Sequence, residues 1–380
     1  MANPESWLIV AGDFATTGGM DRANLALASR LARRGAPTYA VGHRLESEQD
    51  QASIHWIRAR RPWGRHLLGA PILDWTGRRW AQRLGPNVHV VVNGGNCLAP
   101  NAVNWVHYVH AAYQPPIASL RRRIWNRRQL RAERIALTQR ARRIVVNSQR
   151  TRQDLLDHYE VDPSRIAVCY YGIDAERFRP LDPEERQRSR VALGIDPATP
   201  TAAFVGALGD DRKGFATLAE AWAIADRESK GLWDARLLVI GTGSTLPTWR
   251  ARGETEPWGR SVRFLGFRTD VPQLVGACDL LVSPTRYEAY GLNVHEAISQ
   301  GVPALVSASA GVAERFPSAL AQDWLLPDPR DAQDLARKLM RWREGLAAAK
   351  RGFEGLAQTL RSRSWDDCAD DFVNFVTNDD

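Results

Sequence analysis

The sequence predicts an α/β protein built from two doubly wound parallel sheets, and three observations predict it. Short apolar runs that end in glycine or a polar turn alternate with helically spaced apolar residues from Trp7 to Tyr170. The same alternation restarts at Thr201, after a polar stretch between Asp174 and Arg190 that carries Pro180 and Pro183 and reads as a linker. Finally, 380 residues is two to three times the length of a common domain, so two cores are expected rather than one.

Each element has its own local cause. Trp7–Gly12 is an apolar run without alternation, the pattern of a strand buried on both faces. Met20, Ala23, Leu27 and Leu31 follow at helical spacing, and Gly35 stops that helix. Thr38–Val41, Val88–Asn93 and Trp105–His110 read as further strands, with Arg58–Arg65 as an Arg/Pro/Trp-rich loop between them. Leu120–Arg143 is predicted as one long arginine-rich helix running into a strand at Ile144–Asn147. Ser148 is placed to cap the helix Arg150–Tyr159, which Asp162-Pro163 ends before the strand Ile166–Tyr170.

The second series runs strand Thr201–Val205, helix Phe215–Arg227, strand Ala235–Ile240, strand Val262–Leu265 and helix Asp270–Ala277. Strand Asp279–Ser283, helix Asn293–Gln300 and strand Pro303–Ser307 close it. A helical region over Asp331–Arg363 and a last helix near Trp365–Val376 follow, and the last is expected to pack back on the first domain. No internal repeat is legible.

Composition narrows the functional classes. Hydrophobic residues at 44% and charged residues at 25% are ordinary globular values and exclude a disordered or fibrous chain. Every apolar run is far shorter than the roughly 18–20 residues that cross a bilayer. The start, Met-Ala-Asn-Pro-Glu-Ser, carries an acid where a secretory signal carries positive charge. Cys97, Cys169, Cys278 and Cys368 lack paired metal-ligand spacing, so reduced thiols and a cytoplasmic setting are expected. Charge is unevenly spread, with +13 over residues 1–180, where every base is arginine, and −5 over the remainder. A basic half suits nucleic acid, anionic lipid or a charged small molecule.

Open α/β sheets bind ligands at the carboxyl ends of their strands, so the strand-to-helix loops are the place to seek chemistry. Thr16-Thr17-Gly18-Gly19 brings adjacent glycines to a helix start, where backbone N–H groups can approach an anion. Gly206-Ala-Leu-Gly-Asp-Asp-Arg212-Lys213-Gly214 sets two cations side by side at another helix start, suited to a diphosphate, without the spacing of a Walker loop. In Ser283-Pro-Thr-Arg-Tyr-Glu288-Ala-Tyr290-Gly291-Leu292-Asn293-Val-His295-Glu296, one carboxylate sits in the loop and the other about one turn into the helix. The first can meet a sugar hydroxyl or a developing cation; the second can accept two bonds from a ribose diol. His107 and His110, three apart in the run WVHYVH, would point to opposite faces of a strand. His110, nearer the carboxyl end, is the one expected at the site.

With these residues in place, the chain resembles the family 4 GT-B glycosyltransferases, the retaining group that uses nucleotide sugars. The likeness runs from the GG loop through His110, IVVNSQRT, YYGIDAERFRP, FVGALGDDRKGF and LLVIGTGS to FLGFRTDVPQLVGACDLLVSPTRYEAYGLNVHEAISQGVPALVS, which holds the Glu-x7-Glu signature from Glu288 to Glu296. It implies two Rossmann-like domains facing each other across a cleft. Residues 1–180 would be the acceptor-side domain, completed by the helix at 364–380, and residues 181–363 would bind the nucleotide sugar.

By the same resemblance Gly18 and Gly19 approach the donor phosphate, Arg212 and Lys213 hold the diphosphate, and Glu288 lies near the transferred sugar. Glu296 would hold the ribose, the backbone amides of Tyr290, Gly291 and Leu292 the donor, and His110 would stand at the junction of donor and acceptor. Two departures stand out: Ala207 occupies a place where many relatives carry arginine, and His295 one that is often aliphatic. No Asp-x-Asp metal motif is present, and the resemblance implies no bound metal and no cofactor beyond the nucleoside-diphosphate sugar itself. The acceptor would be a hydroxyl of a glycan, lipid-linked or small-molecule substrate, in a setting such as cell-surface polysaccharide biosynthesis.

The arginines crowded between Arg121 and Arg134, with Ile124, Trp125, Leu130 and Ile135 among them, suit an anionic membrane surface, which would make the protein peripheral on the cytosolic face. A solvated arginine-rich helix explains the same residues. Two rival functions use the same features: a GT-B-fold sugar-nucleotide epimerase, and a nucleic-acid-binding protein. Nucleic acid is not the expected partner, because the basic residues are not interleaved as stacking platforms.

Overall fold

The computed structural model describes residues 5–46, 53–114, 120–209, 211–230 and 233–378. The chain falls into two compact units, Met1–Gly172 with Ser364–Asp380, and Ile173–Arg363. The boundary therefore lies at Gly172, ahead of the expected residue 180.

The first unit runs β1 (Ser6–Val10), β2 (Asp13–Phe14), α1 (Gly19–Arg33), β3 (Thr38–Gly42), β4 (Arg44–Leu45), β5 (Ile54–Arg58) and α2 (His66–Leu84). It continues through β6 (Val88–Val92), β7 (Ala102–Val106), α3 (Leu120–Ile135), β8 (Ala141–Val146), α4 (Gln149–His158) and β9 (Ile166–Val168). Seven of these strands form one parallel sheet in the order β5-β3-β1-β6-β7-β8-β9, and β2 pairs with β4 beside it. The order reverses direction between β1 and β6, which makes the carboxyl ends of these two strands the switch point of the sheet. Leu8, Ile9 and Val10 are wholly buried, as a central strand covered on both faces requires. Leu8 and Val10 pack with Leu73, Val90 and Val92 in one layer.

Several expected boundaries move, each for a physical reason. The helix predicted over Leu120–Arg143 ends earlier: a π-helical turn spans Ala136–Arg140, and β8 begins at Ala141. Arginines 142 and 143 therefore lie on a strand, where their polarity had suggested helix. The strand expected at Trp105–His110 is β7 and stops at Val106, so both histidines sit in the loop beyond it. α2 escapes sequence reading because Pro71, Gly69 and Gly77 interrupt its pattern. Gly77 has a packing reason: a Cβ there would stand 2.9 Å from both Cys97 Sγ and Val10 Cγ1, so its absence lets the helix close on β1. Ser148 caps α4 by accepting from the N–H of Thr151.

The second unit runs α5 (Pro183–Ala192), β10 (Thr201–Val205), α6 (Phe215–Glu228), β11 (Arg236–Ile240), α7 (Leu246–Thr255), β12 (Val262–Gly266) and α8 (Val271–Gly276). β13 (Leu280–Ser283), α9 (Leu292–Ser299), β14 (Ala304–Ser307), α10 (Ser318–Trp324), β15 (Leu325–Leu326), α11 (Ala332–Glu344) and α12 (Leu346–Arg361) complete it. Its parallel sheet has the order β12-β11-β10-β13-β14-β15, with the switch point between β10 and β13. α6 and α11 cover one face, burying Phe204, Trp222, Leu237, Val239, Leu335 and Trp342 in a single core.

The stretch read as a linker holds α5. Asp182 and Glu185 form a capping box around Pro183 at the first helical turn. Its inward residue is an arginine: Arg190, 1% exposed, donates to the carbonyls of Ala277 and Asp196 and pairs with Asp279. A helix whose buried contact is charged looks solvated in sequence.

The last helix, α13 (Trp365–Thr377), belongs to the first unit and packs against α1. Trp365, Cys368, Ala369, Phe372 and Val376 are buried at helical spacing, with the Phe372 ring 4.7 Å from Trp105. Ser364 and Asp367 form its capping box. Arg30 grips Asp370 through two nitrogens at 2.8 and 2.7 Å and also reaches Asp366.

Candidate functional site

In the second unit the expected residues converge on the switch point. β10 delivers the loop 206–214 and β13 the loop 284–291, and these strands are neighbours in the sheet. The loops are stitched together by their backbones: the N–H of Arg286 donates to the carbonyl of Arg212 at 2.8 Å. Gly214, with φ +70°, ends the first loop; a Cβ here would fall 1.8 Å from the Pro284 carbonyl oxygen, so only glycine permits the approach. Asp210 of this loop lies outside the described residues, while Asp211 pairs with Arg286 at 2.5 Å.

Lys213 Nζ lies 2.5 Å from Glu288 Oε2, and an Arg212 nitrogen lies 3.8 Å from the same oxygen. The Lys213 and Glu288 side chains are each only 16% exposed. Two cations and a carboxylate thus share one partly desolvated corner, where electrostatic interactions are stronger than in water.

The second loop is braced from behind. Val312 N–H donates to the Tyr290 carbonyl at 2.6 Å and Gly311 N–H to the Glu288 carbonyl at 3.1 Å. Gly291, with φ +109°, is the N-cap of α9, so the chain enters that helix at Leu292 through a backbone that side chains rarely adopt. Asn293 Nδ2 donates to the Val205 carbonyl, tying the start of α9 to β10. Glu296 is half-buried on α9, one turn beyond that start.

His295, given no role by sequence reading, turns out to anchor this loop. Its Nε2 faces the Leu360 carbonyl at 3.2 Å and therefore carries the proton, which leaves Nδ1 to accept from the Tyr290 hydroxyl at 2.8 Å. Burial pushes the imidazole down to about 4 and keeps it neutral. Tyr290, itself 2% exposed, is thereby fastened through His295 to α12.

In the first unit Gly18, with φ +88°, is the N-cap of α1 and Gly19 its first residue, at the carboxyl end of the β1 segment. The loop is held by Glu46, which accepts from the N–H of Thr16, and by Arg22, which donates to the Thr16 carbonyl. Asp21 follows in the first turn, its carboxyl pushed up to about 6 by burial and then by the charge of Asp13. Sequence reading did not single it out.

The two histidines lie in the loop beyond β7 and not on the faces of a strand, one buried and the other half-exposed. His107 is 9% exposed and bonded through Nδ1 to the Tyr171 hydroxyl at 2.5 Å. His110, with its side chain 43% exposed, lies 3.0 Å through Nδ1 from Glu133 Oε1, and Glu133 is wholly buried. Glu133 was missed, although it is the lone acid between Leu120 and Arg150.

On α3 the side chains of Arg123, Arg127, Arg128, Arg131 and Arg134 are exposed, and Ile124 is 47% exposed beside them. The side chains of Arg121 and Arg122 lie outside what the structure describes. Among the described residues no helix is long and apolar enough to cross a membrane, and no group of three or more His, Cys, Asp or Glu stands together to hold a metal.

Two parallel sheets, each doubly wound, with polar loops at the switch point of the second, define the GT-B class of protein. The same architecture recurs in solved structures: WaaG, a glycosyltransferase involved in lipopolysaccharide biosynthesis, superposes with a TM-score of 0.78 at 20% identity, covering 98% of this chain and all of that one. Sucrose-phosphate synthase of Thermosynechococcus elongatus gives 0.76 at 19% identity over 98% of both chains. Anabaena HepE in complex with UDP-glucose gives 0.72 at 18% identity over 98% of this chain and 99% of that one.

The chain belongs to glycosyltransferase family 4. The model described as Glycosyltransferase Family 4 matches residues 17–177, and that described as Glycosyl transferases group 1 matches residues 199–344. Among curated relatives, a D-inositol 3-phosphate glycosyltransferase of Corynebacterium glutamicum is 32% identical over 177 residues, 44% of this chain and 41% of its own length. One of Corynebacterium aurimucosum is 31% identical over 207 residues, 52% of this chain and 47% of its own. The chain thus matches less than half the length of these relatives.

Proposed function

We propose that this chain transfers a sugar, with retention at the anomeric carbon, from a nucleoside-diphosphate sugar to an acceptor hydroxyl. The observation that carries the reading is the corner formed by Arg212, Lys213 and Glu288 where β10 and β13 diverge. A diphosphate needs positive charge that is already in position, and the two cations and the positive end of α9 supply it. In the proposed reaction the bond from the anomeric carbon to the phosphate oxygen breaks, and the nucleoside diphosphate leaves with the electron pair. The acceptor oxygen attacks the same face and passes its proton to the departing phosphate.

In this reading Glu288 sits by the transferred sugar and Glu296 takes the ribose. The amides of Tyr290, Gly291 and Leu292 face the donor, Gly18 and Gly19 approach its phosphate, and His110 contributes a hydrogen-bonding ring from the first unit. No metal or other cofactor forms part of the proposal. The complexes of HepE with UDP and with UDP-glucose support uridine as the first base to try. The acceptor is taken to be a glycan, lipid-linked or small hydroxylated molecule, as in cell-surface polysaccharide synthesis. We further propose work at the cytosolic face of a membrane, supported by the exposed arginines of α3.

A thermal-shift screen of UDP, GDP and ADP sugars tests the donor. Ligand at about 100 times its dissociation constant adds roughly 2.7 kcal/mol of stability. A shift followed by a new α-linked product from an α-linked donor supports the reading. No shift with any donor, or isomerisation of the donor without transfer, overturns it. Sedimentation with phosphatidylglycerol vesicles tests the membrane part: binding that salt abolishes supports it, and absence of binding at low salt removes it.

A further inference from the structure

The surroundings of His110 carry a second assignment. The Glu133 carboxylate is wholly buried within the first unit, at the inner face of α3. Three donors converge on its two oxygens. The backbone N–H of His110 lies 3.1 Å from each, His110 Nδ1 lies 3.0 Å from Oε1, and the Tyr159 hydroxyl donates to Oε2 at 2.5 Å. A carboxylate that water cannot reach requires donors of this kind. Burial and the adjoining negative charge push the Tyr159 phenol well above its ordinary range, so it keeps its proton and remains a donor. The Arg134 guanidinium stands over the Tyr159 ring at 5.7 Å and adds positive charge on that side.

The site is also closed from the β6 side. A Cβ on Gly95 would fall 2.6 Å from the Glu133 backbone nitrogen, so the loop after β6 rests directly on α3. The Glu133 carboxylate is therefore enclosed, and the half-exposed side of the contact is the imidazole of His110.

We propose that Glu133 is a positioning residue for sugar transfer: it holds the proton of His110 on Nδ1, fixes the ring, and so turns the Nε2 lone pair outward to accept from a substrate hydroxyl. The assignment rests on the proposed transferase reading. Its logic is that the hydrogen bond made by one ring nitrogen decides what the other can do. A free neutral imidazole in water prefers its proton on Nε2, where it would be a donor. The carboxylate reverses that preference, and a sugar hydroxyl meeting Nε2 then donates a hydrogen bond instead of accepting one. Both bonds to the Glu133 oxygens from residue 110, backbone and ring, set the position of the loop and the ring together.

Two measurements test it on the full chain. Long-range proton–nitrogen spectra of the 15N-histidine-labelled protein, with His110→Gln to assign the signal, read the ring without substrate. The expected result is protonation at Nδ1 in the wild type and in Glu133→Gln, whose amide oxygen can still accept. Glu133→Ala should relax toward protonation at Nε2. A wild-type ring protonated at Nε2, or at both nitrogens at neutral pH, overturns the proposal.

The second measurement is a double-mutant cycle of turnover. Glu133→Ala should lower kcat by about 10–100-fold with the donor KM within about threefold, and Glu133→Gln should recover most of the loss. In a His110→Ala background, Glu133→Ala should add less than about twofold. Losses that multiply instead would show that Glu133 acts without His110. If Glu133→Ala does not fold, the wild-type spectrum decides: protonation at Nδ1 supports the assignment and protonation at Nε2 overturns it, while Tyr159→Phe, which removes a donor from Oε2 and leaves His110 bonded, should cost stability and leave the ring tautomer unchanged. The spectra need no turnover. A chain that transfers no sugar would sink the proposed function, while the ring state would still decide whether Glu133 sets the tautomer.

Discussion

Lys213 Nζ and Glu288 Oε2 stand 2.5 Å apart, so the cation expected to hold a diphosphate is held in this structure by the carboxylate expected beside the sugar. A donor entering this corner competes with Glu288 for the ammonium. The two residues should therefore separate binding from turnover. Lys213→Ala should weaken nucleoside-diphosphate binding and lower turnover by about 10²-fold or more. Glu288→Gln removes the negative charge that competes for the ammonium, so it should lower turnover by a similar factor and leave binding equal or tighter. Calorimetry with UDP beside initial rates checks both, and a tenfold weaker affinity for Glu288→Gln would contradict the competition.

The Tyr290 hydroxyl ties the loop before α9 to α12 through His295. Tyr290→Phe leaves His295 Nδ1 as a buried acceptor without its donor, a loss of about 1–3 kcal/mol. Urea unfolding should show that loss, and donor affinity should fall with it because the loop before α9 slackens. Full stability in the Phe variant would mean that the hydroxyl contributes nothing.

Two buried imidazoles predict an acid limb in stability. Burial pushes His107 down to about 3 and His295 down to about 4, both below the unfolded value of about 6.5. Between those limits the unfolded chain binds more protons than the folded one. Stability from these residues is then full above pH 6.5 and is lost as the pH falls toward 4. Urea titrations from pH 8 to pH 4 should trace the decline, and His295→Gln should shallow its slope by up to one proton. An equal slope in that variant would contradict the assignment.

Asp21 carries the opposite sign. Its folded value of about 6 lies above the ordinary carboxylate value, so its contribution is full below about pH 4 and is lost as the pH rises through 6. Asp21→Asn should raise the melting temperature at pH 8, by about 2–4 °C for each kcal/mol recovered, and leave it unchanged at pH 4. A lower melting temperature at pH 8 would show that the charge is favourable.

Where the candidate site depends on local backbone chemistry, its geometry was readable in the sequence. The loops ending at Gly18-Gly19, Gly214 and Gly291 were found because strand, glycine and helix start follow one another along the chain. Where it depends on contacts between distant segments, it was not. Glu133 meets His110 only because α3 folds beneath the loop after β7, and the sole sign was one acid among arginines. His295 looked like an oddity until Leu360 supplied a carbonyl for its far nitrogen. α5 was hidden by Arg190, whose charge is consumed by carbonyls that only the folded unit presents.

The chain passes from the first unit to the second at Gly172 and returns at Ser364, and these two crossings lie so close that a Cβ on Gly172 would meet the Ser364 carbonyl oxygen at 1.9 Å. During synthesis the second unit is therefore contiguous and can close as soon as it emerges, whereas the first must wait, with α1 uncovered, for the final thirteen-residue helix to leave the ribosome. Excising the first unit for separate study calls for a short turn joining Gly172 directly to Ser364, since a simple truncation would strip away the surface that Phe372 and Asp370 provide.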